Sequence, residues 1–179
     1  EETGLRCGVD FSVCFGPERI DPANKRFPVR QVPKVVGGES PLCAELGRKV
    51  FEAVFDQVVP VSSTQPAEMV KLLENTFRAI NIGLVNEVAL MCTRLGLDVW
   101  EVINAAATKP YGYMKFQPGP GLGGHCMPID PFYLTWKARE YDFYTEFIEL
   151  AGKVNENMPW CCLGKVTRAL NTNERAVKG

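Results

Sequence analysis

The stretch Pro66-Ala67-Glu68-Met69-Val70-Lys71-Leu72-Leu73-Glu74-Asn75-Thr76-Phe77-Arg78 and its continuation to about Leu95 decides the fold. Proline is tolerated in the first turn of a helix, and an acidic side chain such as Glu68 is favourable there. The apolar pattern that follows runs well beyond the length of an average helix. It includes Met69, Val70, Leu72, Leu73, Phe77, Ile80, Ile82, Leu84, Val85, Val88, Leu90 and Met91, which cover most of the helix circumference. A helix apolar on so many sides is expected to be buried on so many sides. A chain of 179 residues is hard pressed to surround it. A second copy is the simplest source of the missing cover, so a homodimer through the 66–95 helix is expected. Lys71 and Asn75 are four apart and share one face, with Arg78 a turn further. The plain reading of these three is a solvated stripe. A functional reading requires a loop from elsewhere to fold onto them.

Upstream the character is different. Phe11-Ser12-Val13-Cys14-Phe15 alternates large apolar and small residues, as a short strand does. Gly16-Pro17 breaks it and presents Glu18 and Arg19 at its C-terminal end, the edge of an open α/β sheet where ligands sit. A solvated Glu18–Arg19 charge pair is the bland alternative. Residues 21–26 read as an irregular loop. Lys34 to Gly38 reads as a strand, and Ser40 can cap a helix with Pro41 in its first turn. That helix is expected to reach about Phe55, with Leu42, Leu46, Val50 and Val54 on one face. Val58 to Val61 is a third strand. Strand, helix, strand is the pattern of a βαβ-type sheet, here too short for a complete doubly wound domain. Glu1 to Gly4 reads as the end of a preceding helix, with Gly4 as its stop.

Downstream, Gly96 ends the long helix and residues 97–107 read as a short one. Residues 108–130 then form a loop long enough to be functional or disordered, and Tyr111, Tyr113 and Phe116 argue for order. Its core is Pro118-Gly119-Pro120-Gly121-Leu122-Gly123-Gly124-His125-Cys126-Met127-Pro128-Ile129-Asp130-Pro131. Glycine lets backbone approach a ligand closely, and proline fixes φ and removes a donor. The loop is therefore shaped, and it delivers one thiol and one carboxylate. The plain alternative is a tight connection with Cys126 as a small buried apolar residue. Its glycines echo a dinucleotide fingerprint, but no strand precedes them and the required strand–turn–helix context is missing. Adjacent His125 and Cys126 point apart in most backbones, so a Cys–His dyad is not favoured. A cation such as Lys71 could raise the thiolate fraction of Cys126, and Asp130 could orient water or act as a base. Residues 132–141, 143–157 and 159–171 read as three further helices, with Pro131 and Pro159 at their starts. The tail after Asn171 is polar and linker-like.

Composition excludes several classes. A net charge of -1 gives no electrostatic case for nucleic acid or an anionic membrane. No apolar run reaches the roughly 20 residues that span a bilayer. The N-terminus is neither basic nor apolar, so it is no signal peptide. It lacks an initiator methionine, as expected of a piece of a longer protein. The seven cysteines are irregularly spaced without a Cys-x-x-Cys pair. That argues against a disulfide framework and against a metal site, and points to a reducing cytoplasm.

The run Gly121 to Pro131 resembles the cysteine loop of UDP-sugar 6-dehydrogenases, in the UDP-glucose/GDP-mannose dehydrogenase family. The resemblance extends through Phe15-Gly16-Pro17-Glu18-Arg19-Ile20 and Ala67 to Asn75, three motifs in the right order, and covers nearly all of the chain. His125 before the cysteine, and Pro-Ile-Asp-Pro after Met127, are most similar to the branch acting on UDP-N-acetylglucosamine or UDP-N-acetylmannosamine. UDP-glucose enzymes usually carry serine before the cysteine.

The resemblance implies oxidation of the C6 hydroxymethyl to a carboxylate in two NAD-dependent steps. Cys126 would form a thiohemiacetal and then a thioester. Lys71 and Asn75 would hold the developing oxyanion, and Asp130 would position water. Glu18 would lie near substrate and cofactor. Lys115, Phe116, Gly119 and Gly123 would line the UDP-sugar site. The UDP-glucose branch commonly carries lysine where this chain has Ile129, which puts that contact in doubt.

The expected fold is mostly α, a long central dimerisation helix with packed helices, preceded by a partial Rossmann-like α/β remnant. Residues 1–62 are expected to be the C-terminal remnant of an NAD-binding domain. Residues 63–171 would be the helical catalytic domain, and 172–179 a linker to a UDP-binding domain. Without the glycine fingerprint the chain alone is expected to be inactive. A non-catalytic homodimerisation module is the alternative.

Overall fold

The computed structural model describes residues 3–21, 24–175 and 177. Its elements run β1 (Cys14–Phe15), β2 (Lys34–Gly38), α1 (Pro41–Glu52), β3 (Val58–Val61), α2 (Thr64–Leu95), α3 (Val99–Ala106), α4 (Asp130–Arg139) and α5 (Glu146–Thr172). The chain divides into two compact units, Glu1–Glu74 and Asn75–Gly179, with the division inside α2. The fold is mostly α, preceded by a small α/β sheet.

In the first unit β2 is the middle strand. It pairs antiparallel with β1 and parallel with β3, in register Lys34 to Val58 through Gly37 to Val61. The parallel pair is joined through α1, since parallel strands need a crossover. Ser40 caps α1 by accepting the Cys43 backbone N–H at 3.2 Å. All five β2 residues are buried, and Val36 is completely so. The strand expected over residues 11–15 is shorter. Only Cys14 and Phe15 belong to the sheet, while Phe11 forms an isolated bridge with Cys7.

The face that α1 turns to the sheet also differs from expectation. Leu42, Leu46, Val50 and Val54 are exposed, and Cys43 and Gly47 are buried. Apolar periodicity marked the wrong face because the contact is made by small residues. A Cβ on Gly47 would lie 2.7 Å from Cys14 Sγ and 3.3 Å from a Val36 methyl. The helix therefore packs close through its small side.

Of the helix end expected at residues 1–4, Glu1 and Glu2 lie outside the described residues. Gly4 is in the left-handed region at φ +70°, and Thr3 to Arg6 are not helical. Pro22 and Ala23 of the irregular loop, and Ala176, Lys178 and Gly179 of the tail, also lie outside them.

In the second unit α2 buries Ala79, Val85, Asn86, Ala89 and Cys92, while Leu84, Met91 and Leu95 are exposed. Gly96 closes α2 at φ +70°, with the Leu97 N–H bonding back to Cys92 O at 2.9 Å. Asp98 then caps α3 through the Trp100 N–H at 2.9 Å. The two helices expected after residue 143 are one. α5 runs from Glu146 to Thr172 with Pro159 in its interior. Proline removes the bond to the carbonyl four residues back, here Asn155. The glycine loop lies against that carbonyl: a Cβ on Gly121 would sit 3.0 Å from Asn155 O. α2 and α5 meet where Gly83 faces Ala151, with a Gly83 Cβ position only 3.2 Å from the alanine methyl.

Candidate active site

Asp130 opens α4, in the first turn where a carboxylate is favoured. Its Oδ2 accepts a hydrogen bond from Asn75 Nδ2 of α2 at 2.5 Å. Asn75 is buried. The carbonyl of Cys126 accepts the Ile129 and Asp130 N–H groups at 2.9 and 2.8 Å, so a single turn carries the cysteine into α4. The Cys126 side chain is exposed. Fifty-five residues of separation between Asn75 and Asp130 are thus closed by one contact that places the thiol-bearing turn beside α2.

A buried relay of amides anchors the upstream arm of the loop. The Gly119 N–H donates to Asn86 Oδ1 at 2.9 Å, and Asn86 Nδ2 donates to Asn155 Oδ1 at 2.9 Å. Asn155 Nδ2 donates to the Ala79 carbonyl at 3.0 Å. Asn86 is fully buried and Asn155 is 4% exposed. Buried amides are costly unless hydrogen-bonded, and here each asparagine both donates and accepts. Each tie fixes one amide's orientation by the next, so the loop is tied to both long helices at once. Sequence reasoning missed both residues. The available signal was an asparagine on an otherwise apolar helix face, between Val85 and Ala89 in one case and between Ala151 and Met158 in the other.

The remaining expected site residues of this unit are spread more widely. Lys115 Nζ donates to Asn104 Oδ1 of α3 at 2.7 Å. Phe116 stacks edge-on against Phe77, with centroids 5.9 Å apart. Both stand at the loop's entry, where Phe116, Tyr113 and Met114 border a groove of about 350 Å³ between α2 and α3. Gly123 and Gly124 are exposed, and nothing stands within 4 Å of a Cβ at either. His125 is exposed on the same turn. A cleft of about 190 Å³ lies along the loop's inner side, lined by Gly121, Leu122, Phe132, Gly152 and Pro159 among others. That is below the roughly 300–1,000 Å³ of a typical small-molecule site.

In the first unit Glu18 and Arg19 do not form a charge pair with each other. Glu18 Oε1 accepts the backbone N–H groups of Arg19 and Ile20, both at 2.7 Å. Arg19 binds the Pro33 carbonyl at 2.7 Å and the Glu74 carboxylate at 2.6 Å. Lys34 is a further group that sequence reasoning missed. Its buried ammonium donates to the Pro17 carbonyl at 2.8 Å and lies over the Phe51 and Phe55 rings at 5.1 and 5.4 Å. It fixes the turn just before Glu18. Lys71 follows on α2, one helical turn before Asn75.

The strand–turn–helix glycines of β2 and α1 are Gly37 and Gly38, and their Cβ positions are filled by Ser63 O at 1.8 Å and Ala44 N at 2.1 Å. Backbone packs on backbone at both positions. Among the described residues no group of three or more His, Cys, Asp or Glu is arranged to hold a metal ion. No helix among them is long and apolar enough to cross a membrane.

A cysteine on a glycine-rich turn, tied through an aspartate to an asparagine on a long helix, is the arrangement to compare with known proteins. Residues 65–157 match the central domain of the UDP-glucose/GDP-mannose dehydrogenase family. The chain belongs to that family. It is 37% identical over 169 residues to the UDP-N-acetyl-D-glucosamine 6-dehydrogenase of Pseudomonas aeruginosa, covering 94% of this chain and 40% of the relative. It is 40% identical over 168 residues to the UDP-N-acetyl-D-mannosamine dehydrogenase of Pyrococcus horikoshii, covering 94% and 39%. A solved structure of the UDP-D-ManNAc dehydrogenase of Pyrococcus horikoshii superposes with a TM-score of 0.83 at 37% identity, covering 97% of this chain and 40% of that one. The chain thus spans about two fifths of the length of these relatives. As a family member it places Cys126, Asp130 and Asn75 in one connected cluster.

Proposed function

We propose that this chain is the cysteine-bearing core of a longer NAD-dependent dehydrogenase that oxidises the C6 hydroxymethyl of a UDP-N-acetylhexosamine to a carboxylate. The observation that carries the reading is the Asn75–Asp130 contact beside the exposed Cys126 turn, in a chain of this family. NAD, held by parts of the protein outside this chain, supplies the hydride acceptor for both oxidations. The Cys126 thiolate attacks the aldehyde carbon left by the first oxidation. A carbon–sulfur bond forms, the carbonyl π bond breaks, and the oxygen becomes an alkoxide. An amide NH₂ has two donors. Asp130 takes one from Asn75, which leaves the other for that alkoxide, with Lys71 a helical turn away as a second, charged donor. Oxidation of the adduct leaves a thioester, and water oriented by Asp130 releases the carboxylate and returns Cys126.

The substrate cradle in this reading is the backbone of Gly119 to Gly123 with Lys115 and Phe116, and Glu18 lies toward substrate and nicotinamide. Residues 1–62 are the end of the cofactor domain, 63–171 the catalytic helical domain, and 172–179 the linker to the nucleotide domain. The names of the relatives support a UDP-N-acetylhexosamine over a plain hexose, and the seven unbonded thiols support a cytoplasmic home.

A homodimer through α2 is part of the same proposal. Phe77, Leu84, Met91 and Leu95 are all exposed on that helix, and apolar surface of this kind marks an interface. The non-catalytic alternative shares the dimer and lacks the chemistry. Spectroscopic detection of NADH with UDP-N-acetylglucosamine or UDP-N-acetylmannosamine separates the two. The full-length protein is expected to turn over and the isolated chain is not. No NADH from the full-length protein with either sugar, or robust turnover by the isolated chain, would overturn the reading.

A further inference from the structure

Three features of the first unit converge on one pair of cysteines. Residues 6–11 form a turn bonded to itself. The Gly8 N–H donates to Phe11 O at 2.7 Å, the Asp10 N–H to Arg6 O at 2.8 Å, and the Arg6 N–H to Asp10 Oδ2 at 2.8 Å. Gly8 lies at φ +83°, and a Cβ there would come 3.1 Å from Ser40 Oγ, so the turn sits against the start of α1. This docking places the exposed Cys7 with its sulfur 3.8 Å from that of Cys43, which is fully buried in the first turn of α1.

Cys43 is built as a thiolate site. The Ser40 hydroxyl donates to its sulfur at 3.1 Å while accepting its backbone N–H at 3.2 Å. The Ser40 hydroxyl bond and a backbone bond from Val13 lower its pKa to about 7 against the pull of burial. A helix N-terminus favours the anion as well. Burial and the neighbouring Cys43 raise the pKa of Cys7. The pair therefore consists of one entry thiol open to solvent and one internal thiolate behind it. A disulfide needs sulfurs about 2.05 Å apart, so the remaining closure is under 2 Å and within the reach of a side-chain rotation.

We propose that Cys7 and Cys43 form a redox-active dithiol, a modification site whose oxidant is a low-molecular-weight disulfide such as oxidised glutathione. The Cys7 thiolate attacks one sulfur of the oxidant. A Cys7–glutathione mixed disulfide forms, and one glutathione leaves as its thiolate. The Cys43 thiolate then attacks the Cys7 sulfur and expels the second glutathione thiolate. Two protein thiols are oxidised, one small disulfide is reduced to two thiols, and the two protons end on the released glutathiones. The crosslink ties the turn before β1 to the start of α1 and closes a ring of chain that contains β1, Glu18 and β2.

The test treats the reduced chain with oxidised glutathione near pH 7, followed by intact-mass measurement and peptide mapping. The expected result is a loss of two hydrogens, with the Cys7 and Cys43 peptides joined and the bond reversed by dithiothreitol. At pH 7 about half of Cys43 is ionised, against roughly 3% of an ordinary thiol. Cys43 is therefore expected to resolve the Cys7 adduct quickly, so that the mixed disulfide does not accumulate in the folded chain. Cys43→Ser is expected to accumulate one glutathione on Cys7, because nothing resolves it. Cys7→Ser alters an exposed side chain and is expected to abolish the two-hydrogen loss. A stable glutathione adduct on Cys7 of the unmodified chain would overturn the proposal. So would bridges mapping to Cys14, Cys126, Cys161 or Cys162, or no two-hydrogen loss.

Discussion

A Cβ placed on Gly37 of β2 would lie 1.8 Å from the Ser63 carbonyl oxygen, and one on Gly38 2.1 Å from the Ala44 nitrogen. The same construction at Gly123 and Gly124 of the cysteine loop meets nothing within 4 Å. Both are Gly-Gly pairs, and their roles are opposite. In β2 the missing side chains let backbone pack on backbone, so the pair belongs to the fold. In the loop they leave open space beside an exposed thiol. A folding argument does not call for glycine at Gly123, whereas close approach of a ligand to the backbone does.

The largest expected effect comes from breaking the first pair. Gly37→Ala drives a methyl into a main-chain carbonyl that no side-chain rotation relieves. It is expected to cost more than about 4 kcal/mol, a size reserved for such defects, read as a collapse of the urea midpoint.

Cys126→Ala addresses the second region. In the full-length protein it is expected to lower turnover by about a thousandfold or more, since no covalent adduct can form. The exposed position predicts a stability change within about 0.5 kcal/mol. A large shift in the urea midpoint would contradict the open loop described here.

The relay beneath the loop is expected to fall between these extremes in stability. Asn155→Leu leaves the Asn86 Nδ2 donor without a partner in the interior, removes the bond to the Ala79 carbonyl, and is expected to cost about 2–3 kcal/mol. Replacing Asn86 and Asn155 together by leucine is expected to cost less than the sum of the singles, because the first loss has already broken the shared bond. Additive losses in equilibrium unfolding would show that the amides act independently.

Gly123→Ala is the smallest change to the fold and the most direct test of the contrast. Its backbone is not in the left-handed region and its Cβ site is open. Stability is expected to move by no more than about 0.5 kcal/mol. KM for the UDP-sugar is expected to rise about tenfold, equivalent to about 1.4 kcal/mol of lost binding. An unchanged KM would remove Gly123 from the substrate cradle.

The parts of this molecule that were legible in sequence are those with local causes. Ser40 and Pro41 announce the start of α1, Gly96 and Asp98 the boundary between α2 and α3, and an unbroken apolar pattern announces α2. Pro159 misled because a proline at a helix start and one inside a helix look alike in sequence. In the structure α5 is continuous, and the Gly121 turn packs over the Asn155 carbonyl that Pro159 leaves without its helical donor. The packed face of α1 misled for a related reason. Periodicity finds large apolar residues, and the sheet is met by Cys43 and Gly47.

The same division runs through the candidate site. The sequence by itself determined which chemical groups are present: one loop thiol, the carboxylate of Asp130 four residues on, and Lys71 and Asn75 at one-turn spacing. Those follow from residue identity and helical geometry. Only the tertiary structure decided that Asp130 takes the Asn75 amide, that Asn86 and Asn155 pass a hydrogen bond from the loop to α2, and that Cys7 meets Cys43. Each joins residues 33 to 76 positions apart in the chain. Spacing along a sequence carries no information about such contacts, because burial and the need to satisfy each buried polar group select them only once the chain has folded.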